Sequence, residues 1–386
     1  MDIEATIDDK IRPRLIEALG RQSANALLTR ATLAYVSTDG SERDRIEAFI
    51  EAIRSDERVQ SAWSEEAIAS FSHEWSTLLM PHLPADEREA ETARILDGRA
   101  MAEGVRKEIV EEVAAFEDAY GTVPTIAVVR AGDDPASVSY AKMIKRSFEN
   151  AGMNFILRSL PKTASEEDVI DVICMLNADS AVSGIMVQEP LPRGIDDIAV
   201  KAAIAPEKDA DGVNPINAGR LAQAAPVGRA SGVKDYMVPA TPLGGLEILK
   251  RAGIEMDGAR AVVVGRSNIV GRPMSFLLMQ HHATVSMCHS HTDPLDPVTR
   301  EADILCVAVG VAELIKGHMV KPGAVVIDFG FNKKDDKWVG DVDFDEVKLV
   351  AGAITPVPGG TGSMTNVMLM QNVVRAARRR MERRDM

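Results

Sequence analysis

The spacing of apolar positions changes near residue 92. Before it, Ile46, Phe49, Ile50 and Ile53 recur at i, i+3, i+4 and i+7, and Ile68, Phe71, Trp75, Leu78 and Leu79 form a second stripe. Both spacings predict amphipathic helices. Ser41 followed three positions later by Asp44 has the form of a capping box opening the first of them. Pro81 and Pro84 end the second, and the polar run 85–91 (ADEREAE) follows as a linker. From residue 93 the pattern becomes short β-rich apolar runs, at 125–129, 184–187, 261–264, 304–309 and 324–327, with helix-length stretches between them. Continuous apolar strands alternating with helices predict a parallel sheet covered on both faces, which binds ligands at the carboxyl ends of its strands.

Composition narrows the function. The chain has 386 residues, 46% of them hydrophobic, enough for two or three cores. Its net charge is −14, and the first 92 residues carry 19 acidic against 10 basic side chains. Such an acidic chain disfavours nucleic-acid and membrane partners. The N-terminus lacks the order of a signal peptide and no apolar run reaches membrane-spanning length, so a cytoplasmic location is expected. Three scattered cysteines (Cys174, Cys288, Cys306) argue against a disulfide framework, and His281, His282, His289 and His291 match no ligand spacing, so no metal is expected. The basic stretch 375–384 reads as a solvated helix face, and Met364, Met368 and Met370 as core filler.

Residues 261–274 (AVVVGRSNIVGRPM) read as a buried strand, a glycine turn and a helix start. Gly265 permits the turn, Ser267 can cap the helix, and Gly271 allows close packing, an arrangement suited to a pyrophosphate. The spacing is GxSxxxG rather than GxGxxG, so a purely structural turn fits it equally well. Arg266, and Ser290 after the next strand, could hold a 2′-phosphate. No acidic residue stands where a free ribose hydroxyl would call for one, which favours NADP over NAD.

Further motifs follow in order: PASVSY (135–140), VQEPLP (187–192), EKDADG (207–212) and ITPVPGGTGSMT (354–365). Together with the nucleotide turn they resemble the bifunctional methylenetetrahydrofolate dehydrogenase/methenyltetrahydrofolate cyclohydrolase family over about three quarters of the chain. The resemblance implies a two-domain α/β core, with a folate-binding domain over 93–240 completed by a C-terminal helix at 363–386, and a Rossmann-like NADP-binding domain over 241–360. The all-α module at 1–90 precedes them. By resemblance, Tyr140 stacks on the folate rings, Gln188 sits beside the one-carbon unit, and Asp211 binds the pterin edge. Pro190, Pro358, Gly359, Gly360 and Gly362 line the cleft, while Gly265, Arg266, Ser267 and Ser290 hold NADP. The same resemblance implies a homodimer.

Four positions depart from the family pattern. Ile144 stands where the family carries a lysine, four residues after the tyrosine on one helix face. Lys142 and Lys145 lie ~200° and ~140° around the helix from Tyr140 and cannot take its place without a local bulge. Glu189 replaces a leucine, Ser363 a proline, and Phe331 a smaller aliphatic residue near the nicotinamide. Isoleucine can neither polarise a methenyl carbon nor move a proton, so dehydrogenase activity with weak or absent cyclohydrolase activity is expected. Glu189 is a candidate acid/base or amine-recognising group, or a solvent-facing side chain. Two further readings remain: a catalyst turned to another carrier or amine, and a non-catalytic folate- or nucleotide-binding protein whose residues 1–90 dock a protein partner.

Overall fold

The computed structural model describes residues 6–39, 41–79, 92–229 and 235–384. Pro81, Pro84 and the linker at 85–91 lie outside the described residues. The chain forms two compact units, residues 1–93 with 348–350, and residues 94–347 with 351–386.

The first unit is all helical. A π-helical turn at Ile7–Ile11 leads into α1 (Arg12–Leu19), followed by α2 (Arg21–Ser37), α3 (Glu42–Arg54), α4 (Glu57–Ala62) and α5 (Glu65–Leu79). Ser41 and Asp44 form the reciprocal capping box at the start of α3. Ile46, Phe49, Ile50 and Ile53 are buried with Leu15, Leu27, Trp75 and Leu79 in one core. The predicted stripes therefore face inward, as expected of helices too short to be stable alone.

The second unit holds two parallel sheets. Its elements are β1 (Arg94–Ile95), α6 (Gly98–Tyr120), β2 (Thr125–Ala131), α7 (Pro135–Asn150), β3 (Asn154–Leu160), α8 (Glu166–Ala178), β4 (Gly184–Val187), α9 (Asp197–Ala203) and α10 (Pro215–Ala222). There follow α11 (Ala240–Arg251), β5 (Arg260–Val264), α12 (Gly271–Gln280), β6 (Thr284–Cys288), α13 (Asp296–Thr299), β7 (Ile304–Val307) and β8 (Val325–Asp328). The hairpin β9 (Asn332–Lys334) and β10 (Lys337–Val339), α14 (Phe344–Val347), β11 (Ala353–Ile354) and α15 (Thr361–Arg384) complete it. The smaller sheet runs β3-β2-β4 and the larger β1-β11-β8-β7-β5-β6. Every strand pairing within these two sheets is parallel.

Helix α15 closes the fold. Met364, Met368 and Met370 have no accessible surface. Asn372 donates from its Nδ2 to the carbonyls of both Ala210 and Val238 at 2.9 Å. The basic stretch 375–384 is not the solvated face its composition suggests. Arg380 donates to the Val182 carbonyl at 3.0 Å, Arg379 pairs with Asp235 at 2.9 Å, and Arg378 pairs with Glu112 at 3.4 Å. These cations replace hydration with carbonyl and carboxylate partners in the folded unit. No helix of the described residues is long and apolar enough to cross a membrane.

Candidate active site

Tyr140 lies on α7, which follows β2, Gln188 directly follows β4, and Asp211 stands in the EKDADG turn, which bridges to β4 at Ile185. Asp134 caps α7 by accepting from Ser137 N at 2.9 Å, and Pro135 occupies the first turn, where its missing N–H costs nothing. That cap fixes the start of the helix and the direction of Tyr140 two turns on. Gln188 follows β4; its backbone N–H extends the ladder to Val129 at 2.9 Å and its Nε2 donates to the Ser137 carbonyl at 3.1 Å. Gln188 is 3% exposed, and its Oε1 has no hydrogen-bond partner among the described residues. A buried amide oxygen left over in this way is a place for a ligand donor.

The EKDADG turn shows why its charges are arranged as they are. Lys208 donates to the carbonyls of Leu176, Asn177 and Asp179 at 3.0, 2.8 and 2.7 Å, neutralising the carboxyl end of α8. Asp209 is fully buried and accepts from Val213 N, Asn214 N and Asn217 Nδ2. Gly212 has φ +69°, and a Cβ there would lie 2.3 Å from the Val238 carbonyl carbon. Two charges are thus spent on the fold, and Asp211 is left half-buried. Burial pushes its carboxyl up to about 7; the negative charges of Asp209 and Glu189 add to the rise and Lys201 opposes it. Burial, and then the Asp211 charge, hold the Tyr140 phenol above its ordinary value.

A cleft of about 820 Å³ opens beside Tyr140. Pro358, Gly359, Gly360, Gly362 and Phe331 line it, as does Ser363, whereas Gln188, Glu189, Pro190 and Asp211 are not on its wall. The glycine loop reaches this wall because it packs on the start of α6, where a Cβ on Gly98 would stand 2.1 Å from the Gly360 carbonyl oxygen. Phe331 is 60% exposed and stacks on Trp338, with ring centroids 4.2 Å apart. Spacing gave no warning of Arg99, Met143, Ser147 and Asn366, which also line the cleft. Nor did it single out Asp328 and Asp341. Asp328 accepts from the backbone N–H groups of Gly330, Asp341 and Val342, and Asp341 from those of Val309 and Gly310, so the two carboxylates hold the loop carrying Phe331. The polar residue ending an otherwise apolar strand, Ile327-Asp328, was the available signal.

The nucleotide turn lies in the larger sheet, where β6 and β7 flank β5 on opposite sides. Gly265 has φ +126°, and a Cβ there would lie 2.2 Å from the Ala308 carbonyl oxygen. A Cβ on Gly271 would meet the Gly265 carbonyl oxygen at 2.1 Å. Ser267 Oγ accepts from Val270 N at 3.1 Å, so the turn tightens directly into α12. Arg266, Ser267 and Ser290 are all exposed, and the pairing of Val264 with Cys288 puts Arg266 and Ser290 at the same carboxyl edge. This cradle, closed to any Cβ and flanked by a guanidinium and two hydroxyls, fits the diphosphate and 2′-phosphate of a dinucleotide.

Residues 96–211 match the catalytic-domain model of tetrahydrofolate dehydrogenase/cyclohydrolase, and residues 239–381 match its NAD(P)-binding-domain model. The chain is 48% identical over 291 residues to the bifunctional protein FolD of Chloroflexus aurantiacus, covering 75% of this chain and 99% of that one. The chain belongs to the tetrahydrofolate dehydrogenase/cyclohydrolase family. Among solved structures, the bifunctional enzyme FolD of Campylobacter jejuni is 40% identical with a TM-score of 0.70, covering 75% of this chain and 99% of that one. The Trypanosoma brucei FolD, solved with NADP and an inhibitor, is 36% identical with a TM-score of 0.69 over the same shares.

Against the family pattern, α7 runs unbroken from Pro135 to Asn150, with no bulge to bring a lysine into register. Ile144 has no accessible surface and belongs to the main core, while Lys142 and Lys145 are exposed and Lys145 pairs with Glu149 at 3.7 Å. Glu189 is half exposed and pairs with Lys201 at 2.5 Å, and Asp197 holds the same ammonium at 2.8 Å.

Proposed function

We propose that this member oxidises 5,10-methylenetetrahydrofolate to 5,10-methenyltetrahydrofolate and has lost most of the hydrolytic step that follows. Residues 93–240 with the C-terminal helix hold the folate, and residues 241–360 hold the dinucleotide through Gly265, Arg266, Ser267 and Ser290. NADP, when bound, supplies the hydride acceptor. The chain's own part is positioning. Tyr140, neutral at physiological pH, offers a flat ring face; Gln188 presents its unpaired Oε1; Asp211 accepts pterin N–H groups; and the loop of Pro358, Gly359, Gly360 and Gly362 closes one wall.

The observation that carries this reading is Ile144. Hydrolysis needs a group that polarises the methenyl carbon or moves a proton beside it, and a buried isoleucine one turn from Tyr140 does neither. Hydride transfer depends on geometry, which the tyrosine, glutamine and aspartate retain. Glu189 is bound up with Lys201, which weakens the case for a new acid/base or a different amine carrier.

The test mixes pure protein with methylenetetrahydrofolate and NADP, following reduced nicotinamide and methenyltetrahydrofolate together. Both should accumulate in parallel. Rapid methenyl hydrolysis that disappears in Gln188→Ala would overturn the loss of the second step, and binding of both ligands without turnover would overturn the first.

A further inference from the structure

The loop that presents Gln188 is fastened to α9 by a half-buried ammonium. Lys201 Nζ lies 2.5 Å from Glu189 Oε1 and 2.8 Å from Asp197 Oδ2, and its side chain is 17% exposed. Asp197 stands one turn back on the same helix, where a single carboxylate is the usual partner of a helical lysine. The second carboxylate comes from another element, the residue directly after Gln188. Burial works against the ammonium, but its two partners outweigh burial and hold the group above the ordinary lysine value. The same helix is tied to the turn that carries Asp211. Asn214 donates from its Nδ2 to the Lys201 carbonyl at 3.2 Å, and Asp209 accepts from Asn214 N at 2.8 Å.

Opposed charges therefore meet at Asp211. Asp209 acts on it from its own turn, Glu189 from the loop after β4 and Lys201 from α9, while Tyr140 interacts with it from α7 as a neutral phenol. Lys201 is the cation that opposes the two neighbouring carboxylates. Without it, Glu189 would add a third negative charge to one small region, and like charges held close keep one another protonated. A protonated carboxyl is a weaker acceptor than a carboxylate. Folding gives little reason for the arrangement, because an ion pair with a half-exposed glutamate contributes little to stability.

We propose that Lys201 is a positioning residue of the folate site: it neutralises Glu189 and so keeps Asp211 a carboxylate where the pterin N–H groups are held. The proposal rests on the folate reading, in which Asp211 binds the pterin edge.

The experiment measures the dissociation constant of tetrahydrofolate by fluorescence across pH in the full-length protein, in Lys201→Met, Lys201→Arg and Glu189→Gln, and in the Lys201→Met/Glu189→Gln double variant. KM and kcat for methylenetetrahydrofolate are followed alongside. Affinity in the unsubstituted protein should rise through a midpoint at about 7. Lys201→Met should move that midpoint up by about half a unit or more, weakening binding about two- to fivefold at neutral pH and little in alkali, with kcat moving less than KM. Lys201→Arg should restore it. The double variant should return to within about half a unit of the starting midpoint, because the two charges leave together. An affinity that does not change with pH overturns the proposal, as does a midpoint that Lys201→Met leaves in place. So does a loss equal at every pH, which would mark a packing role. Should Lys201→Met fail to fold, the double variant decides, and a midpoint equal to that of Glu189→Gln overturns the proposal. If tetrahydrofolate binds but its methylene form is not turned over, the dehydrogenase reading fails while the dissociation constants still decide Lys201. If tetrahydrofolate binds at no pH, both readings fall.

Discussion

Asp211 sits among charges of both signs, with burial, Asp209 and Glu189 raising its carboxyl to about 7 and Lys201 opposing them. Below that value the group is neutral, and above it the carboxylate can accept pterin N–H groups. Folate affinity should therefore rise as the pH climbs through about 7, read as a falling KM. Glu189→Gln removes one repelling charge, so the midpoint should move to lower pH; an unmoved profile would exclude the coupling. Asp328 is also raised to about 7, chiefly by burial. Its contribution to folding is fully present below the ordinary aspartate range and is lost as the pH rises through about 7. Asp328→Asn should flatten the fall in Tm between about pH 4 and 7. Ile144→Lys should gain methenyl hydrolysis and lose thermal stability, because an ammonium would replace a side chain with no accessible surface.

At the scale of elements, the apolar runs at 184–187 and 261–264 lie within strands because they are buried on both faces, which leaves a continuous signal. Strand β3 (NFILRSL) escaped that reading. It is an edge strand, largely open to solvent, so its apolar and polar residues follow no buried pattern. The capping box of α3 and the tyrosine, glutamine and aspartate turns were legible because each is local in sequence. Ser147 and Asn366 were not, since 219 positions separate them and only the packing of α15 on α7 brings them together. The fates of Lys208 and Asp209 were equally hidden, their partners lying on other elements. The nucleotide turn gives a direct test of element geometry. Gly265→Ala puts a Cβ into the Ala308 carbonyl at a left-handed backbone angle. A loss of about 1–3 kcal/mol in thermal unfolding is expected, with a weakened NADP titration.

At the scale of the molecule, the two compact units bury separate cores, one cluster in the helical unit and two in the larger. Calorimetry should show two transitions rather than one. Phe49 is 2% exposed in the helical unit, and Phe49→Ala should lower that unit's transition by about 3–5 kcal/mol while the other keeps its own midpoint. The larger unit is finished by α15, which follows all of its strands in the chain. Asn372 joins the carbonyl next to Asp211 to the one before Pro239, and Asn366 reaches Ser147. The folate pocket therefore cannot assemble before α15 has been made and has packed back on the earlier elements. A chain cut short between Asp328, the end of β8, and residue 361 would carry an intact nucleotide turn and no finished site for the carrier. Such fragments could hold dinucleotide but never spend it.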